Sequence, residues 1–307
     1  MRIVSLLPAA TEIVCGIGLR EQLVGVSHEC NWPSGLASLP RLTRSRIDSS
    51  AGSAAIDAQV KSFAASSQSF YEIDVELLAA LRPDVIVTQG ECCDVCAVSL
   101  STVERIVAAR SELAATRVVP LSPESLAEVF QDVERVGAAA RADAAARGYA
   151  NSLRQRVEAV RAQVEMALSL TRLRRPRVAV IEWVEPIMAA GNWTPELVEI
   201  AGGAYGLATA GDHSPYVAWD EVVAFAPEVL VIAPCGFDLV RSQIEAQRLA
   251  QLPDWHELPA VAQQNAAVID GDAYLNRPGP RLVESLELLH QLIGRASRQL
   301  AAGPPPA

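Results

Sequence analysis

A duplicated segment constrains the fold of this chain more than any other feature. Residues 77–94, LLAALRPDVIVTQGECCD, and 221–238, EVVAFAPEVLVIAPCGFD, share one plan. Each is a short helix, a proline–acid turn, an apolar strand and a loop carrying cysteine and aspartate. Ala80, Pro83, Asp84, Val85 and Val87 fall opposite Ala224, Pro227, Glu228, Val229 and Val231 at a constant offset of 144. A repeat this long fixes the architecture before any single motif does. It predicts an α/β protein of two Rossmann-like, parallel-sheet lobes, with the working surface at the loops that follow the strands.

The rest of the chain fits that plan. Strands are expected at 2–6, 23–27, 84–88 and 117–121, with helices at 75–81, 99–109 and 123–137. Thr11 or a neighbour caps a helix running to about Gly18. Residues 41–69 read mostly as loop, with a short helix near 56–64. One long helix follows, whose Leu153, Val157, Val160, Val164 and Leu168 form a single apolar stripe. Pro176 ends it. Strand 177–181, loop 182–194, helix 195–201, helix 219–225, strand 229–233, helix 239–250, strand 267–270 and helix 281–298 then repeat the first half. The expected domains are an N-terminal lobe over 1–141, a connecting helix over 142–175, a C-terminal lobe over 176–300 and a disordered tail over 301–307. The ligand is expected in a cleft between the lobes.

The formal net charge of −10 among 307 residues argues against nucleic acid or an anionic membrane surface as partner. No run reaches the roughly 18 apolar residues of a membrane helix. Pro8, Thr11 and Glu12 interrupt the N-terminal apolar run, so it reads as a first strand rather than a signal peptide. The expectation is a cytoplasmic monomer with reduced thiols, or a periplasmic protein whose export signal lies outside this chain.

In this order and spacing, RIVSLLPAATEIVCGIG, LVGVSHECNWP, LLAALRPDVIVTQ, the long central helix, PELVEIAGG and WDEVVAFAPEVLVI resemble the class III periplasmic-binding-protein fold of ABC transporters, the cobalamin and iron-siderophore type. The resemblance covers roughly residues 2–298. SHECNWP, TQGECCDVCAVS, EWVEPIMAAGNW, PCGFD and NRPGPRL resemble a cysteine-rich subgroup that often lacks an export signal. The resemblance implies a non-enzymatic binding protein for a corrinoid, a related tetrapyrrole or an iron chelate. It also implies an ABC permease as partner, docked through acids at the starts of the two repeated helices, here Glu76 and Glu221. Solvated helix-start carboxylates explain both acids equally well.

Other residues could carry chemistry. Cys30, Cys92, Cys93, Cys96 and Cys235 follow strands, and with His28 they are candidate ligands for zinc or iron. Cys93-x-x-Cys96 has ligand or redox spacing, but no second spaced pair accompanies it. Cysteine is also a small buried hydrophobe, the reading preferred for Cys15. A cysteine-lined, metal- or thiol-dependent protein reusing this fold is therefore the alternative function. His28, Glu29, Trp32, Trp193, Trp219, Phe237, Tyr274, Asn276 and Arg277 are the candidate ligand-binding residues, since flat ligands want aromatic walls and few polar anchors. Packing explains any single aromatic as well. His213 is a weaker candidate. Glu182 and Glu185 read as loop-holding acids rather than an acid–base pair, and no catalytic constellation is evident.

Overall fold

The computed structural model describes residues 1–66, 69–90, 97–171 and 174–302, and in it the repeat recurs bond for bond. The carbonyl of Arg2 accepts from the N–H groups of Asp84 (2.8 Å) and Val85 (3.2 Å). The carbonyl of Arg177 accepts from those of Glu228 (2.8 Å) and Val229 (3.0 Å). Contacts divide the chain into two units, Met1–Leu153 with Pro278–Pro280, and Arg154–Arg277 with Arg281–Ala307.

The first unit runs β1 (Ile3–Ser5), α1 (Pro8–Gly16), β2 (Leu23–Val26), β3 (Thr43–Ser45), α2 (Ser53–Ala65), β4 (Tyr71–Ile73), α3 (Val75–Leu81), β5 (Val85–Gln89), α4 (Leu100–Ala109), β6 (Arg117–Leu121) and α5 (Leu126–Ala139). Among the described residues, β2-β1-β5-β6 form a parallel sheet in that order. VIVTQ of β5 is buried throughout, the near-continuous apolar pattern of a strand covered on both faces. Val4, Leu6, Leu78, Ile86, Val103 and Leu113 form the core beside it. Each such side chain contributes roughly 1.5–3 kcal/mol by leaving water.

Local chemistry sets the helix ends. Asp74 caps α3 by accepting from the N–H of Leu77 at 2.9 Å, and Arg82 ends it in a left-handed conformation. Ser125 caps α5 through the N–H of Glu128. The α1 expectation needs correction. Pro8 opens that helix and Leu7 precedes it without a side-chain cap. Pro supplies the preset φ of a first helical position, which frees Thr11 to sit inside the helix.

The segment read mostly as loop, 41–69, supplies one strand of an antiparallel ribbon, Thr43–Ser45 on Tyr71–Ile73. Each strand has three residues, and Arg, Ser and Glu obscure the alternation. Next comes α6 (Asp143–Thr171), 29 residues long and so roughly 44 Å. Its expected stripe is buried at Leu153, Val157, Val160 and Val164. The unit boundary falls inside this helix.

The second unit continues with β7 (Val178–Val184), β8 (Ile187–Ala189), α7 (Thr194–Ile200), α8 (Trp219–Phe225), β9 (Val229–Ile232), α9 (Leu239–Leu249), α10 (Pro259–Ala262), β10 (Ala266–Val268) and α11 (Leu282–Ala302). The sheet order is β10-β9-β7-β8, parallel except that β8 turns back antiparallel on β7. The loop expected from residue 182 thus begins as strand. VLVI of β9 is fully buried, packed with Ala179, Ile181, Val222 and Leu249.

Candidate functional site

Parallel strands place their carboxyl ends along one edge of a sheet, where ligands bind in such folds. In the first unit that edge is polar and hydrogen-bonded. The Thr11 hydroxyl lies 2.7 Å from Ser5 Oγ at the end of β1 and 3.0 Å from Cys30 Sγ. The Ser5 hydroxyl donates to the carbonyl of Leu7. Arg41 donates to the carbonyls of Ser27 (2.9 Å) and Cys30 (2.7 Å), pinning the loop after β2.

That loop presents His28. Its Nδ1 lies 2.7 Å from Thr43 Oγ1, and its main-chain N–H donates to the same oxygen at 3.1 Å. Thr43 in turn donates to Ser27 Oγ at 2.9 Å. His28 Nε2 lies 3.8 Å from a Glu29 carboxylate oxygen, and the Tyr71 ring centroid is 5.8 Å from that of His28. Burial, and then the positive charge of Arg41, hold the imidazole below its ordinary pKa. The ring is therefore neutral at pH 7 and can offer a nitrogen lone pair.

The other first-unit candidates divide. Trp32 is 46% exposed. Cys30 is fully buried. Cys15 is half-buried rather than sunk in the core, and burial pushes its thiol pKa up. Cys92, Cys93 and Cys96 lie outside the described residues. Among the described residues no group of three or more His, Cys, Asp or Glu side chains is placed to hold a metal.

In the second unit the loops after β9 and β10 are tied together. Asn276 donates to the carbonyls of Ala233 (2.9 Å) and Gly271 (2.8 Å). The N–H of Asp272 donates to the carbonyl of Phe237 at 3.0 Å. Arg277 is buried and donates to the Asp272 carboxylate. Two hydrogen bonds to Asp270 Oδ1, from the N–H groups of Asp272 and Ala273, shape the turn. Half-buried Tyr274 carries the Arg281 guanidinium 5.0 Å from its ring centroid. The Trp193 indole N–H donates to the carbonyl of Leu275 at 2.6 Å. Cys235 is half-buried, its N–H on the carbonyl of Glu182.

Two of the expected wall aromatics are engaged in packing. Phe237 is 3% exposed, with Trp183 at 5.1 Å on one side and the Arg241 guanidinium 3.6 Å from its centroid. Its surface is already used in packing. Trp219 stacks on Trp255 at 6.1 Å and donates its indole N–H to the carbonyl of Pro253, joining the second core. Glu182 and Glu185 hold structure, through Ser214 at 2.7 Å and Arg248 at 2.9 Å. His213 is exposed. The sequence reading missed Arg41, Thr43, Tyr71, Asp272 and Arg241. Asp272 alone carried a signal, following an Asp-Gly turn directly after a strand.

The helix-start acids are both exposed and both engaged. Arg110 donates through two nitrogens to the two carboxylate oxygens of Glu76. Glu221 accepts from the N–H of Ala218 at 2.7 Å, closing the start of its own helix.

Known proteins share this fold. An ABC transporter substrate-binding lipoprotein of Bacillus subtilis is 20% identical over 294 residues, covering 95% of this chain and 79% of that protein. The vitamin B12-binding protein of Vibrio cholerae is 23% identical over 302 residues, covering 97% and 91%. The solved periplasmic heme-binding protein RhuT of Roseiflexus sp. RS-1 superposes with a TM-score of 0.71 at 22% identity, covering 96% and 98%. The cytoplasmic location expected from the N-terminus is thereby corrected, since the relatives include a lipoprotein and a periplasmic heme-binding protein. None of the three carries an enzyme's name. The periplasmic binding protein family matches residues 3–273, and the chain belongs to that family.

Proposed function

We propose that this chain is the substrate-binding component of an ABC-type importer, working outside the cytoplasmic membrane on a metal-bearing tetrapyrrole, a corrinoid or heme. One observation carries the choice of ligand: a neutral, half-buried imidazole, His28, held through Nδ1 by Thr43 at the carboxyl edge of the first sheet. An imidazole oriented by a hydrogen bond on one nitrogen is suited to ligate a metal through the other. Relatives named for vitamin B12 and heme support the class. Trp32 and Tyr274 supply aromatic surface, and Arg277 and Asn276 shape the second unit's edge from behind. Glu76 and Glu221 are proposed to meet the permease, with Arg110 giving up Glu76 when it does.

The test is an absorption titration of the purified chain with aquocobalamin and with hemin. Saturable uptake of one, with band positions of nitrogen ligation that disappear in His28→Ala, supports the reading. Uptake unchanged by His28→Ala removes the ligation role, and uptake of neither removes the tetrapyrrole.

A further inference from the structure

Helix α9 is amphipathic in the inverted sense. Its buried residues include Ser242 and Glu245 beside Ala246 and Leu249, while three large apolar side chains face solvent. Leu239 is 42% exposed, Val240 66% and Ile244 58%. A surface helix ordinarily turns its apolar stripe to the core and its charges to water. Val240, Gln243, Ile244 and Gln247 are all exposed, and their spacing of three and four residues sets them along one stripe. That stripe carries no charge.

The charged side chains of α9 are engaged within its own unit. Buried Glu245 pairs with Arg248 at 3.2 Å, and Arg248 also reaches Glu185 at 2.9 Å. Arg241 lies over the Phe237 ring, and the Ser242 hydroxyl donates to the carbonyl of Phe237 at 3.1 Å. The duplication supplies a comparison. Helix α4 follows β5 as α9 follows β9, and each precedes a 3-10 turn, Ser111–Leu113 and Trp255–Glu257. α4 has the ordinary arrangement. Val103 is buried, Ile106 and Val107 pack against the first core, and Ser101, Glu104 and Arg105 are exposed. The fold therefore does not impose an apolar outer face at this place, and the second copy of the repeat has one all the same.

We propose that the outer face of α9 docks on the same face of a second copy of this chain. A contiguous exposed apolar patch marks an interaction surface, and the charge pattern names the occupant. The chain carries a formal net charge of −10. A two-fold contact brings a face against itself, so a charged face repels its own copy and an uncharged one does not. A partner selected by opposite charge would need charges on the stripe. The spacing is also self-complementary. With two α9 helices antiparallel about a two-fold axis, Val240 of each copy meets Ile244 of the other, and Gln243 lies near the axis. One face of an 11-residue helix, about 16 Å long, is far smaller than the roughly 800 Å² per partner of a stable complex. The dimer is therefore weak and concentration-dependent, and the monomer expected from the sequence is its dilute form. The proposal is independent of which ligand the strand ends hold.

The test is sedimentation equilibrium of the full chain from about 10 μM to about 1 mM, the range of weak association. The mean mass is expected to rise from that of one chain toward that of two. Ile244→Glu puts like charges into the contact and is expected to weaken association at least about ten-fold, with the melting midpoint and tetrapyrrole uptake unchanged. Val240→Lys alone is expected to weaken it likewise. Mixing the two variants is expected to restore association, because the antiparallel contact sets each new charge against its opposite. Ile244→Ser gives the same loss without a charge, should either charged variant fold poorly. The mass of one chain throughout, association unaltered by Ile244→Glu, or no restoration on mixing overturns the proposal. So does flotation of a non-associating chain with phosphatidylcholine vesicles that Ile244→Glu abolishes, which would make a lipid surface the occupant. Failure here leaves the absorption titration intact, so the two readings fall separately.

Discussion

His28 Nδ1 lies 2.7 Å from the hydroxyl oxygen of Thr43, and the proton count across that contact fixes the imidazole. Thr43 has one hydroxyl proton, and Ser27 Oγ takes it at 2.9 Å. The Thr43 oxygen therefore accepts, both from the main-chain N–H of His28 and from Nδ1–H. That leaves Nε2 unprotonated and available. Thr43→Val keeps the shape and removes the acceptor. It should weaken tetrapyrrole binding by roughly 10–100-fold, the usual loss when a partner behind a metal-ligating histidine is removed. Because burial and Arg41 lower the His28 pKa, uptake in the parent chain should persist until pH falls below the ordinary imidazole range near 6.5. In Arg41→Ala the midpoint should move upward. A pH titration of binding decides both points.

How much of this was legible in the sequence depended on the length of the pattern. The repeated helix–turn–strand was readable because VIVTQ and VLVI are continuous apolar runs, and both are buried throughout. His28 stood out by residue type, but Thr43 did not. It lies 15 residues away on a three-residue strand in a segment of Arg and Ser, too short for alternation to register. The surroundings of Phe237 and Trp219 were hidden for the opposite reason. Their positions after a strand or at a helix start suggested a wall, but only tertiary contacts reveal that Trp183 and Arg241 pack on Phe237 and that Trp255 stacks on Trp219.

Asp132 gives a pH-dependent stability of unusual sign. It is 2% exposed in α5, and its Oδ2 has no hydrogen-bond partner among the described residues. Burial raises its pKa to about 7, against the opposing pull of Arg135. The folded state therefore keeps a proton that the unfolded state, with a pKa of about 3.9, releases. The stabilising effect of that retained proton is complete below pH 4 and is lost as pH rises through 7. Asp132→Asn should flatten the fall in unfolding free energy between pH 5 and 8. It should raise stability at pH 8 by about 1–3 kcal/mol, within the scale of a shifted buried carboxyl. Urea melts at the two pH values measure it, and an unchanged slope would remove Asp132 as the source.

Glu228 shows the converse. Burial disfavours its charge, but the Arg174 guanidinium, the N–H of Arg177 and the charges of both arginines more than offset this and hold its pKa below the usual carboxylate range. Its contribution is present above the unfolded pKa near 4.3 and is lost as pH falls through the lower folded value. Glu228→Ala leaves the part-buried N–H of Arg177 without its acceptor and should destabilise the second unit by about 1.5–3 kcal/mol, the range for hydrogen bonds to a charged group. Asp84→Ala is the matching change in the first unit, where Asp84 accepts from the N–H of Arg2 at 2.7 Å on an exposed surface. It should cost about 1 kcal/mol. Equal losses at the two sites, measured by chemical denaturation, would contradict the role assigned to burial.

Gly271 is required by proximity rather than by its dihedral angles. A Cβ there would stand 2.0 Å from the carbonyl oxygen of Pro234 and 2.8 Å from the carbonyl carbon of Ala233. Both obstructions are main chain, and Asn276 holds the two loops at this separation by donating to the carbonyls of Ala233 and Gly271. Gly271→Ala must therefore part the loops after β9 and β10, straining the core by roughly 1–3 kcal/mol. Asn276→Ala removes the tie without adding bulk and should loosen the same loops at about 1–2 kcal/mol for two lost hydrogen bonds. If the edge of the second unit positions the ligand, both variants should release bound tetrapyrrole faster while leaving association nearly unchanged, since first encounter does not need the loops locked. Stopped-flow dissociation reads the difference. Slow release in Gly271→Ala, despite a lowered melting midpoint, would place the ligand away from these loops and leave the first-unit edge around His28 as the sole anchor.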